Sequence, residues 1–192
     1  MKPGVLYART LYKHVVPFAV AVRLITLSTS GSLAVAATRL PAVDGRLPIT
    51  SLLPTLPSAP IITATDFLTQ TNAARVSLGF APLKLNEELD NAAQNKIDDM
   101  IANNYWDHFR PSDHKAPWDF IKDAGYTYHY AGENLARGFT SAESITQAWL
   151  ASPAHRANLL SPNYTDVGFA TGMGFNDQGQ KVLLTVQLFG AR

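Results

Sequence analysis

Five prolines stand between residues 41 and 60 (Pro41, Pro48, Pro54, Pro57 and Pro60). Each lacks a backbone N–H and fixes φ, so neither a helix nor a central strand can run through this stretch. The folded body must then come from residues 63–192, a length that suits one domain. Residues 37–62 read as an extended, Pro-rich linker. The body has the means to build a core: 46% of the whole chain is hydrophobic and 16% charged. There is no cysteine, which excludes a disulfide framework, a thiolate zinc site, a Cys nucleophile and Fe–S ligation.

The net charge of +1 hides an asymmetry. Of the 16 basic residues, four (Lys2, Arg9, Lys13, Arg23) fall within positions 1–36, which contain no acid, leaving 12 bases against 15 acids beyond them. A mildly acidic body offers no electrostatic footprint for nucleic acid. Residues 1–36 combine a basic start, an apolar run over Val15–Leu27 broken by Arg23, and an Ala34-Val35-Ala36 site. That is the pattern of an export signal, with an apolar helix of the mature fold and an uncleaved anchor as alternatives. No run of about 18 uncharged apolar residues occurs, so no stable membrane span is expected once the signal is removed.

In the body, Thr65-Asp66 is expected to cap a helix running to about Leu78, where Gly79 stops it. Asn86 caps a second, in which Leu89, Ala93, Ile97 and Met100 recur every three or four residues and mark a buried stripe that Asn103-Asn104 ends. Pro117 opens a short helix, Thr140 with Glu143 has capping-box spacing before a helix to Leu150, and Ser152-Pro153 starts another. The period then changes to two over 167–175 and 181–189, joined by a turn at 176–179. Residues 126–131 could form a further strand, with 132–136 as the loop after it. Helices, a strand, helices and a hairpin, without βαβ alternation, predict an α+β fold with a small antiparallel sheet.

Chemistry-bearing residues gather at the breaks in this pattern. His108 follows the second helix, Glu133 and Asn134 follow a glycine, and Ser152 and His155 flank a helix start. Imidazole binds metals and moves protons near neutral pH, and it also serves as a plain hydrogen-bonding group. Glu133 could ligate a cation, act as a base, hold a histidine or accept loop N–H bonds. Ser152 has a structural role available as an N-cap before proline, and no nucleophile motif surrounds it.

The motifs Asn72-x-x-Arg75, Leu78-Gly79-x-x-Pro82-Leu83, His108, Gly132-Glu133-Asn134, Ser152-Pro153-x-His155-Arg156 and Tyr164-x-x-Val167-Gly168 resemble those of the CAP superfamily, also called SCP-like. The likeness covers roughly residues 65–190 and is nearest the cysteine-free bacterial branch. It implies an α-β-α sandwich with a cleft and a secreted, periplasmic or cell-envelope location. It also implies a cleft holding His108 and Glu133. Two further positions of the family tetrad, a glutamate and a histidine, are here Ser152 and Asn163. The resulting expectation is an exported, non-enzymatic domain whose cleft (His108, Glu133, Asn134, Ser152, His155) binds a lipid, a glycan or another envelope component. One alternative is a metal-dependent hydrolase or peptidase in which His108, Glu133 and His155 converge within about 8 Å on a divalent metal such as zinc. Another is a structural or interaction module of the envelope.

Overall fold

A computed structural model describes residues 62–192; the expected export segment and all but the last residue of the expected linker lie outside them. The elements run α1 (Ala64–Ser77), β1 (Lys84–Leu85), α2 (Glu87–Ala102), α3 (Pro117–Asp123), β2 (Tyr130–Arg137), α4 (Ala142–Ala151), α5 (Pro153–Leu159), β3 (Asp166–Phe175) and β4 (Lys181–Ala191). Asn86 caps α2 as expected, its side chain accepting from Leu89 N. Two other caps sit elsewhere. Thr63, not Thr65-Asp66, caps α1, and Asp66 returns the bond to the Thr63 N–H in a reciprocal box. Ser141, not Thr140, caps α4 by accepting from Ser144 N.

The strands form one sheet in the order β1-β3-β4-β2. β2 and β3 both pair antiparallel with β4, while the two-residue β1 pairs parallel with β3, so the sheet is mixed at one margin. The largest difference from the sequence-based expectation is β2. It spans 130–137 rather than 126–131, and Gly132–Ala136 lie within the strand rather than in a loop.

Helices cover both faces of the sheet. On one, the stripe Leu89, Ala93, Ile97 and Met100 of α2 joins Phe120 and Ile121 of α3 against Leu184, Val186 and Leu188. On the other, Phe67, Ile145, Trp149 and Leu159 of α1, α4 and α5 pack on Val167, Phe169 and Phe189. This is an α-β-α sandwich with a core on each side of the sheet. Helix α2 lies so close to β3 that a Cβ at Gly168 would stand 2.2 Å from the Leu89 carbonyl carbon. Asp90 locks the contact by accepting from Phe169 N at 2.8 Å.

The edge strand β2 is closed by side chains. Its carbonyls at Ala131, Glu133 and Leu135 accept, in turn, from Tyr164 Oη, Asn158 Nδ2 and Trp149 Nε1. Strand alternation sends every second carbonyl away from β4, and these three outward ones are satisfied. Among the described residues, no helix is long and apolar enough to cross a membrane.

Candidate functional site

The site begins at the C-terminal end of α2. Asn103 caps that helix and Asn104 takes φ 48°, which turns the chain into the 103–116 segment carrying His108. Two α2 residues one helical turn apart hold this segment. Lys96, fully buried, donates to Tyr105 Oη at 3.1 Å and to the carbonyls of Asp107 at 3.0 Å and His108 at 2.8 Å. Asp99 accepts from Tyr105 Oη at 2.6 Å and pairs with Arg110 at 2.5 Å.

Held this way, His108 Nδ1 lies 2.6 Å from Glu133 Oε1. The pair is asymmetric: the Glu133 side chain is 2% exposed and that of His108 is 48% exposed. Desolvation disfavours the charged imidazole, but the hydrogen bond and charge of Glu133 outweigh it, so the His108 pKa is raised above its ordinary value. The other carboxylate oxygen, Glu133 Oε2, is buried and has no hydrogen-bond partner among the described residues.

Helix α5 supplies a second pair. His155 Nδ1 lies 2.9 Å from Ser152 Oγ. Ser152 occupies the N-cap position, yet its side chain makes no capping bond. The cap role expected for this hydroxyl is therefore not the one it plays: proline at the next position has no N–H, and the hydroxyl turns to the imidazole instead. Burial and then the charge of His108 push the His155 pKa down.

Asn134 is fully buried. Its amide donates to Gln187 Oε1 at 3.0 Å and to the His155 carbonyl at 3.3 Å, and accepts from Asn158 Nδ2 at 3.1 Å. Gln187 in turn donates to Thr71 Oγ1. Asn134 therefore braces β2 against α5, β4 and α1, with its hydrogen-bonding capacity committed internally. Among the described residues, no group of three or more His, Cys, Asp or Glu side chains is gathered so as to hold a metal ion. The expected His108–Glu133–His155 cation set is not assembled by this geometry.

A model of the cysteine-rich secretory protein family, CAP, matches residues 68–189, well over half of the chain. The chain belongs to the CAP family. The CAP domain here is 38% identical over 120 residues to the uncharacterized protein YkwD of Bacillus subtilis, covering 62% of this chain and 44% of that one. It is 31% identical over 103 residues to the uncharacterized B. subtilis membrane protein YlbC, covering 54% and 30%. The chain thus spans less than half the length of these curated relatives. Among solved structures, an extracellular SCP-domain protein of Bacillus anthracis matches with a TM-score of 0.56 at 26% identity, covering 67% of this chain and 40% of that one. An outer surface protein of Borrelia burgdorferi matches with a TM-score of 0.56 at 21% identity, covering 69% and 96%, and supports the fold alone.

Within the CAP frame, the sequence points to His108, Glu133, Ser152 and His155 but not to what holds them. Lys96, Asn158 and Gln187 escape a reading of the sequence. Lys96 leaves one signal: it sits three residues after Ala93 and four before Met100, on the apolar stripe where a charge is out of place. Asn158 and Gln187 leave none, because their partners on Asn134 are 24 and 53 residues away in the chain.

Proposed function

We propose that this protein is an exported CAP domain whose cleft binds a hydroxyl-bearing ligand of the cell envelope, a glycan in preference to a lipid, without turning it over. The observation that carries the reading is Glu133 Oε2, buried and unpaired beside a half-exposed His108. A buried acceptor without a donor is costly, on the order of 1–3 kcal/mol or more for a charged group. A ligand O–H or N–H reaching it would recover that cost. Sugar hydroxyls are such donors, and the Ser152–His155 pair adds further polar groups nearby. An aliphatic chain would leave that oxygen unpaired. The hydrolytic alternative needs three converging cation ligands, and no such group of three is gathered among the described residues.

Export follows from the basic, apolar and Ala-x-Ala succession of residues 1–36, and the B. anthracis relative is an extracellular protein. Protein recovered from the medium or envelope should begin near Ala36 or Ala37 on N-terminal sequencing; cytoplasmic protein beginning at Met1 would contradict this. The cleft is tested by NMR titration with a soluble oligosaccharide of N-acetylated amino sugars. Saturable shifts around Glu133 and His155 are expected, with affinity at least about tenfold weaker in Glu133→Gln, equivalent to about 1.4 kcal/mol. No shifts, or equal affinity in the variant, would dismiss the reading.

A further inference from the structure

Lys96 is an ammonium with no exposed surface in the middle of an otherwise apolar helix face. Such a charge is retained only where every donor is used and an opposite charge lies within reach. Both conditions hold. The three N–H groups go to Tyr105 Oη and the carbonyls of Asp107 and His108. Glu133, Asp99 and Asp107 each favour its charged form, against the desolvation that dominates. The side chain also lies over the rings of Tyr105 at 4.8 Å and Phe120 at 5.3 Å, which fixes its direction.

We infer that Lys96 is the positioning residue of the cleft, holding the His108 backbone so that its imidazole meets Glu133. The two carbonyls it grips belong to His108 and to the residue before it, so a shift of the ammonium moves the imidazole directly. The Asp99–Arg110 pair, one turn further along α2, anchors the same segment past His108 and touches neither carbonyl. The two anchors meet at Tyr105 Oη, but only Lys96 grips the carbonyls that set the height of His108 above β2. This role serves the binding reading above, but it concerns the protein before any ligand arrives.

The test is made on the full chain without ligand. A 2.6 Å imidazole–carboxylate bond gives a downfield N–H proton signal with slow exchange. In Lys96→Met that signal should vanish, or exchange at least about tenfold faster, the equivalent of one lost hydrogen bond. In Asp99→Asn it should persist. If Lys96 acted only as a charge, its removal would relieve repulsion on the imidazolium, and the signal in Lys96→Met would stay or sharpen; that outcome overturns the inference. Equal loss in both variants also overturns it, because general loosening of the segment would then explain the effect. Should Lys96→Met lack a cooperative unfolding transition, Lys96→Arg takes its place. It keeps the charge but spreads its donors over a planar fork that cannot seat one nitrogen on both carbonyls. Loss of the signal supports positioning, and its retention overturns it. Failure of oligosaccharide binding in the wild type would leave this result untouched, so the two readings fail separately.

Discussion

Two imidazoles lie within electrostatic reach of one another, and their surroundings drive them in opposite directions. Glu133 raises His108 above 6.5, while burial and the His108 charge lower His155 below it. The raised group stabilises the fold fully below the unfolded value near 6.5, and that contribution fades as pH rises through the folded value. The lowered group acts the other way: its neutral form is accommodated above about 6.5, and stability falls as pH drops towards its folded value. Together they place a stability maximum near pH 6.5. Urea unfolding across pH should show it, and Glu133→Gln should remove the decline on the alkaline side. Arg75 is a different kind of residue, 1% exposed and bonded to the carbonyls of Ala81 and Leu159 at 2.7 Å and Ser161 at 3.0 Å. Arg75→Met should cost about 2–4 kcal/mol, because it strands three carbonyls while filling the space. The His108 signals should not move in that variant. Arg75 can be singled out from its Asn72-x-x-Arg75 motif, whereas its partners near residue 160 cannot, since nothing local to the motif marks them.

At the scale of elements, the contrast between α2 and β2 shows what a sequence carries. α2 is readable from end to end because its stripe, its cap at Asn86 and its stop at Asn103-Asn104 are all written within one run of residues. β2 reads wrongly because Gly132, Glu133 and Asn134 have the composition of a loop, and their burial depends on groups contributed by α5 and β4. A strand whose polar residues are satisfied by distant partners has no local signature. The same dependence makes β2 a place to test edge closure. Trp149→Phe keeps a ring but removes the donor to Leu135 O, and should cost about 1–2 kcal/mol by denaturant unfolding. Gly168→Ala should be far worse, more than about 3 kcal/mol, since the added methyl meets the backbone of Leu89 and Asp90 rather than a movable side chain. Low yield and the absence of a cooperative transition are the expected results. A variant with wild-type stability would show that α2 can lift from the sheet.

Among the described residues, both cores are assembled from Phe67 onward, and Ile62 packs against the α1–α4 side. A fragment of residues 61–192 should therefore unfold cooperatively, with a midpoint close to that of the full chain; calorimetry showing no transition would place the domain boundary earlier. Helices around a small sheet are legible in the sequence, because each helix carries its own stripe, cap or N-terminal proline. The parallel pairing of β1 and the position of β2 are not, since both depend on which strand arrives alongside. The closed margin of β2 has a further consequence. Sheet proteins kept at high local concentration are prone to grow by annealing, one molecule extending the ladder of the next. Here an incoming strand would find the Ala131, Glu133 and Leu135 oxygens of β2 already taken. Copies crowded together find few free acceptors along the β2 margin on which to polymerise. Recognition along β2 must come through side chains more than through the main-chain ladder.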